Sequence, residues 1–232
     1  MSLREQFAGD SVWIDPAALG GLEEIAAPRP LIREDRLQQV LKRAVDLAVA
    51  VPALAILAPV LALIALWIAG DSPGPVLFRQ TRRGLGGKPF DIVKFRTMTV
   101  LENGPAIGQA TENDPRVTRA GRFLRRTSLD ELPQLLNVIR GEMSLVGPRP
   151  HALAHDDHYA ARIEGYTLRQ SVKPGITGWA QIHGSRGETP TLESMKRRVM
   201  LDAWYASHAS VELDLEILLR TPAEVLRARN AH

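Results

Sequence analysis

Leu47–Gly70 reads "LAVAVPALAILAPVLALIALWIAG", 24 residues without a charge. At about 1.5 Å of rise per residue such a run reaches across the roughly 30 Å hydrocarbon core of a bilayer. It also lacks the polar face that a helix on a soluble core carries, so a membrane segment outranks a buried core helix. Pro52 and Pro59 lie inside the run and cannot donate to the Ala48 and Ala55 carbonyls. Pro59 divides it into halves of 12 residues. Arg29, Arg33, Arg36, Lys42 and Arg43 precede it and Arg79, Arg82, Arg83 and Lys88 follow it. Loop arginines and lysines stay on the cytoplasmic side, which draws both ends to the same face. The expected form is a re-entrant helical hairpin over residues 37–70, broken at Ala58-Pro59, with Asp46 pairing with Lys42 or Arg43 at the membrane edge.

Outward from this run, residues 1–36 form an expected N-terminal extension, loosely ordered by Pro16, Gly20, Gly21, Pro28 and Pro30. Arg4, Glu5, Asp10 and Asp15 interrupt any secretory apolar stretch there. On the other side, "VLFRQ" and "FDIVKFRTM" flank "TRRGLGGKP" and read as a β-hairpin with glycine turn chemistry. The "GLGGKP" piece is no phosphate loop, because Lys88 is followed by proline instead of Ser or Thr. The remainder of residues 71–232 reads mainly helical, with proline-glycine loops. The chain of 232 residues is 45% apolar, enough to bury a sizeable core. Its 29 basic and 26 acidic residues give +3, and a pI of about 9.5 favours anionic partners. Arginine supplies 24 of the 29, which suits bidentate phosphate recognition and equally fits a GC-rich codon bias. With no cysteine, disulfides, thiolate zinc sites and a cysteine nucleophile are excluded.

The chemistry gathers at "RRTSLDELPQLLN", Arg125–Asn137. Ser128 and Glu131 fit the S-x-x-E capping box, and acids in a helix's first turn are favoured by its dipole. Three neighbours argue for more. Arg116, Arg119, Arg122 and Arg125 recur every third residue toward the dyad Asp130-Glu131. "GEMSLVGPRP" sets Arg149 between two prolines, and a helix N-terminus presents free N–H groups to an anion. Together they form an anion site with a carboxylate of nucleophile grade in it, where a divalent ion would let carboxylate approach phosphate.

The stretches "KRAVDLAVAVPALAILAP", "KFRTM", "RRTSLDELPQLLNVIRGEMSLVGPRP" and "VKPGITGWAQIHG" resemble the successive motifs of the bacterial sugar transferase family, the monotopic phosphoglycosyl transferases. The likeness runs from about Val40 to Leu226. It implies a mostly helical α+β fold: a re-entrant hairpin, a cytoplasmic catalytic domain over 71–232 with a small β-hairpin, and interfacial amphipathic helices. The implied reaction transfers a sugar 1-phosphate from a UDP-sugar to polyprenol (undecaprenyl) phosphate with release of UMP, priming an exopolysaccharide or other surface glycan. By the same resemblance Asp130 is the nucleophile that forms an aspartyl phosphosugar and Glu131 its dyad partner. The two are also the implied ligands of Mg2+, while Arg125, Arg149 and Arg96 bind substrate phosphate. The implied location is the cytoplasmic face of the bacterial inner membrane, in contact with lipid. Ala58 stands where some members carry serine before the hairpin proline, His183 where asparagine is expected and Lys173 where arginine is frequent.

"RGETPTLESMKRRV" resembles the corresponding segment of glucose-1-phosphate transferases, which favours UDP-glucose, with UDP-galactose next. Leu192, Met195 and Val199 against Lys196, Arg197 and Arg198 suit a basic interfacial helix or, equally, a solvated helix on the core. His151, His155 and His158 read as a polar face in preference to a metal site. A homo-oligomer is compatible with the sequence. Two other classes compete: a catalytically silent membrane scaffold for glycan assembly, and a basic nucleic-acid-binding protein. The latter has no use for the apolar run or the dyad, so nucleic acid is not expected as a partner.

Overall fold

The computed structural model describes residues 36–99 and 114–226. The extension expected over residues 1–36 lies outside these, apart from Arg36. A helix α1 (Arg36–Asp71) leads into strands β1 (Leu77–Arg83) and β2 (Pro89–Phe95). Then come α2 (Arg119–Thr127), α3 (Leu135–Arg140), β3 (Ser144–Val146), α4 (Leu153–Ala160), β4 (Gly175–Thr177), α5 (Trp179–Ile182), α6 (Leu192–His208) and α7 (Val211–Leu226). The architecture is the expected mostly helical α+β one.

The apolar run is one helix of 36 residues through both prolines. The break expected at Ala58-Pro59 does not interrupt it, because a proline removes one amide donor yet holds φ near the helical value. Its most apolar 18 residues have a mean hydropathy of 2.7 and are only 11% buried, which rules out the core-helix alternative. By length and composition it can cross a membrane. The two ends dock separately. Ala50, with Ala53 and Leu54, packs into the main core beside Val138, Leu145 and Val146. Ile64 and Ile68, with Leu61 and Ala65, pack on Phe95 and Leu124. Between them Ala55, Ile56, Ala58, Pro59 and Val60 are exposed.

Charged residues fasten both ends. Lys42 pairs with Asp214 of α7 and donates to the Val146 carbonyl (3.0 Å). Arg43 reaches the Val138 and Ile139 carbonyls of α3 at 2.6 and 2.7 Å. Asp46 accepts from Ser144 Oγ and the Leu145 amide, both at 2.9 Å. The pairing of Asp46 with Lys42 or Arg43 is therefore not formed: all three charges point across to the folded domain instead of along their own helix. At the far end Asp71 accepts from the Ala120 amide (3.1 Å), at the start of α2.

The β-hairpin forms as expected, antiparallel from Leu77 opposite Phe95 to Arg83 opposite Pro89. Its turn contains Gly86 and Gly87 at φ of 64° and 74°, a backbone region that favours glycine. A second sheet pairs β3 with β4 in parallel. A Cβ on Gly175 would stand 2.1 Å from the Gly147 amide nitrogen and one on Gly147 2.2 Å from the Lys173 carbonyl. Glycine in both the "GPRP" and "KPGITG" motifs is thus what lets these two loops touch backbone to backbone.

The interfacial reading of "LESMKRRVMLDAWY" is corrected. Met195 and Val199 of α6 are buried against Ile163 and Tyr166. Arg198 is buried too, donating to the Ser185 carbonyl at 3.1 Å and to that of Gly187. Apolar residues four apart give the helix one adhesive stripe, and here Met195 and Val199 are taken up by the domain's own core while Leu192 stays exposed.

Candidate active site

Helix α2 begins at Thr118, whose Oγ1 accepts from the Gly121 amide (2.9 Å), and ends at Ser128 with φ 57° and ψ 18°. Ser128 is the one non-glycine residue of positive φ among the described residues. After this reversal Leu129–Gln134 winds as a tight 3-10 turn before α3 starts at Leu135. Ser128 makes no side-chain cap. The S-x-x-E capping box is therefore not built, and Glu131 is free of that duty.

Glu131 is clamped instead. Arg149 Nη1 and Nη2 donate to its Oε2 and Oε1 at 3.0 and 2.5 Å, and Lys94 Nζ donates to Oε1 at 3.0 Å. Burial alone would raise its pKa, but the Arg149 and Lys94 charges and hydrogen bonds override this and hold it well below the usual carboxylate range. Burial lowers Lys94 even against the pull of Glu131. Asp130, 9% exposed, has no hydrogen bond or ion pair among the described residues. Its pKa is pushed up to about 6, first by burial and then by the Glu131 charge, against the opposing charges of Lys94, Arg125 and Arg149. One carboxylate is thus fixed and ionised, and its neighbour has both oxygens available.

The loop that carries Arg149 is held from behind. Arg169, 4% exposed, donates to the Arg149 carbonyl at 2.5 Å, and its Nε and Nη2 reach Asp202 Oδ2 at 3.0 and 2.8 Å. Its Nη1 lies 3.1 Å from His151 Nδ1, which is 2.6 Å from the Tyr166 hydroxyl, and that hydroxyl donates to Asp156 (2.8 Å). Burial, then the Arg169 charge, lowers His151 well below its ordinary value and keeps it neutral.

Among the expected site residues, Asp130, Glu131 and Arg149 come together, and the Arg125 charge acts on Asp130. Arg96 does not join them. It is 2% exposed, and its guanidinium is spent on the end of α1, reaching the Pro73 carbonyl (2.7 Å), Ser72 Oγ (3.0 Å) and the Ile68 and Ser72 carbonyls. The phosphate role expected of Arg96 is therefore corrected to a structural one: helix carbonyls left without amide partners need a donor. Of the arginine series only Arg125 serves the dyad. Arg116 is committed to Asp114, and Arg119 and Arg122 face outward. Lys94, Arg169 and Asp202 escaped the sequence reading. A lone lysine in the apolar strand "FDIVKF" was the available signal for the first.

Among the described residues no three His, Asp or Glu side chains converge as a metal cage, the histidines at 151, 155 and 158 included. The dyad nevertheless fits magnesium, which takes one or two carboxylates and fills its remaining positions with phosphate oxygens and water. Asp130 offers both oxygens, and Glu131 Oε2 has only the Arg149 Nη1 contact.

A helix apolar and long enough to cross a membrane is docked on a domain that presents a carboxylate pair among cations, an arrangement suited to anionic groups. The chain belongs to the bacterial sugar transferase family, whose profile matches residues 37–228. It is 57% identical over 185 residues to the UDP-glucose:undecaprenyl-phosphate glucose-1-phosphate transferase of Escherichia coli K12, covering 80% of this chain and 40% of that relative. The Caulobacter vibrioides protein of the same name is 55% identical, over 82% of this chain and 72% of its own length. An Aeromonas hydrophila UDP-N-acetylgalactosamine-undecaprenyl-phosphate N-acetylgalactosaminephosphotransferase is 37% identical, over 80% and 44%.

Proposed function

We infer that this chain transfers glucose 1-phosphate from UDP-glucose to a polyprenol phosphate and releases UMP, with Asp130 as the nucleophile; UDP-galactose is the next donor. The observation that carries the reading is the buried Asp130 carboxylate left without a partner beside a Glu131 that Arg149 and Lys94 hold ionised. Higher identity to the glucose enzymes than to the acetamido-sugar enzyme supports the sugar.

In the first step an Asp130 oxygen attacks the β-phosphorus, the bond to the UMP oxygen breaks and UMP leaves. In the second, the polyprenol phosphate oxygen attacks the same phosphorus and the acyl phosphate bond breaks, returning the carboxylate. Covalent catalysis lets a water-soluble donor and a lipid acceptor use one site in turn. Arg149 and Arg125 supply positive charge for the phosphate oxygens. Asp130 and Glu131 Oε2 would hold Mg2+, which neutralises charge between carboxylate and pyrophosphate. Glu131, kept charged, repels Asp130 and keeps it a stronger base than an ordinary aspartate.

The same reading sets the chain on the cytoplasmic face of the inner membrane with the exposed middle of the single helix α1 in contact with lipid. Support comes from the two ends of α1 docking on one domain while Ala55, Ile56, Ala58, Pro59 and Val60 between them are exposed. A panel of UDP-sugars with polyprenol phosphate and Mg2+, scored by UMP release, tests the function. UDP-glucose should lead the panel, and no release with any sugar would overturn the transferase reading.

A further inference from the structure

Each carbonyl of the loop under Arg149 has its own donor, and each donor comes from a different part of the fold. The Gly175 amide of β4 reaches the Pro148 carbonyl (3.0 Å), Arg169 the Arg149 carbonyl (2.5 Å) and Arg82 Nη1 the Pro150 carbonyl (3.1 Å). Pro148 and Pro150 fix φ on either side of Arg149, so the backbone that carries its side chain has few ways left to turn. Arg82 belongs to β1, where its Nη2 donates to Gln80 Oε1. Arg169 is anchored on Asp202 of α6. The loop is thereby tied to β1, β4 and α6, and from it the Arg149 fork meets both oxygens of Glu131.

Closing such a loop does not require cations, since a neutral amide or hydroxyl also satisfies a carbonyl. Arg82 is held there against its electrostatic preference. Its Nε is buried with no partner and its guanidinium forms no ion pair among the described residues. Burial, then the like charge of Arg149, lowers its pKa to about 10. What a guanidinium adds over a neutral donor is a rigid planar fork that fixes direction as well as distance, here between Gln80 and Pro150. We propose that Arg82 and Arg169 are positioning residues of the transfer: through the Pro150 and Arg149 carbonyls they set where the Arg149 fork points, and so the charge that meets the phosphate beside Asp130. The proposal rests on the transferase reading above.

Turnover of the full chain in lipid nanodiscs, with Mg2+, UDP-glucose and polyprenol phosphate, tests it first on Arg82, whose removal breaks no ion pair. Arg82→Met should lower kcat at least about tenfold, because misplacing a group by about 1 Å costs up to about a hundredfold. KM for UDP-glucose should stay within about threefold, since the lost contact counts when phosphorus is attacked. The loss should exceed any loss of folded protein, read from the melting temperature in the same nanodiscs. Arg82→Lys keeps a donor for Pro150 and should recover most of it. Arg149→Lys cannot span both oxygens of Glu131, so adding Arg82→Met to it should cost less than about twofold more. Arg169→Gln should follow the same pattern, and if it does not fold the Arg82 series decides. An unchanged kcat in Arg82→Met, a raised KM with kcat kept, a loss that matches unfolding, or the same loss repeated on top of Arg149→Lys overturns the proposal. No UMP from the unaltered chain with any sugar would break the transferase reading and this one with it, whereas transfer left intact by Arg82→Met breaks this one alone.

Discussion

Arg149 joins two buried groups of charge that follow opposite rules. Behind it, Arg169 and Asp202 are mated at 2.8 and 3.0 Å, Asp156 accepts from Tyr166, and His151 is kept neutral. In front of it, Glu131 takes three donors while Asp130, the adjacent residue, takes none among the described residues. The front group is the less buried, with side-chain exposures of 13% for Glu131 and 15% for Lys94 against 3% for both Arg169 and Asp202, and it is the one that holds an unpaired carboxylate. A buried ionised group left without partners is unfavourable, and the fold tolerates it at the one carboxylate that the proposed mechanism uses as nucleophile.

The contrast can be broken by mutation. Asp130→Asn should lower turnover at least about a thousandfold and at the same time stabilise the protein. The folded pKa of Asp130 lies above the ordinary aspartate value, so its stabilising contribution is present at acid pH and is lost as pH rises through about 6. At pH 7 the charged form is unfavourable by up to about 3 kcal/mol, which the amide relieves. A lower melting temperature for this variant would contradict the account.

Asp202→Ala should act oppositely on stability. It leaves Arg169 buried and short of its counter-charge, a loss of about 3–5 kcal/mol, read by denaturant unfolding in detergent. Asp202→Glu should recover part of it. Glu131→Gln comes next. It weakens the hold on Arg149 and Lys94 by about 1–3 kcal/mol, so two neighbouring near-isosteric changes should move the melting temperature in opposite directions. Equal shifts would remove the distinction between them. The smallest effect is titration of the unaltered chain: log kcat/KM should fall with a slope of about one as pH drops below about 6, because the nucleophile becomes protonated, and should level off above it. A profile still flat at pH 5 would place the Asp130 pKa near the ordinary value.

What the sequence disclosed follows from range. The apolar run, the β-hairpin, the dyad and the proline-flanked Arg149 are local patterns and appear as such. Arg96 misled because its neighbours in "KFRTM" do not reveal that the end of α1, more than 20 residues earlier, needs a donor. The Arg169–Asp202 pair is 33 residues apart, and the parallel β3–β4 pair consists of three-residue strands, too short for any alternation to show. Ser128 read as a cap because Ser-x-x-Glu is a capping signal. Only the left-handed turn at its own backbone cancels that reading.

The central claim, that Asp130 takes the phosphosugar itself, is met most directly by intact-mass measurement after incubating the enzyme with Mg2+ and UDP-glucose in the absence of lipid, with an early quench. The account predicts a sugar phosphate adduct mapped to Asp130, about one UMP released per site, and loss of the adduct when polyprenol phosphate is added. An unmodified mass with no UMP until lipid is present, or an adduct on another residue, would contradict it.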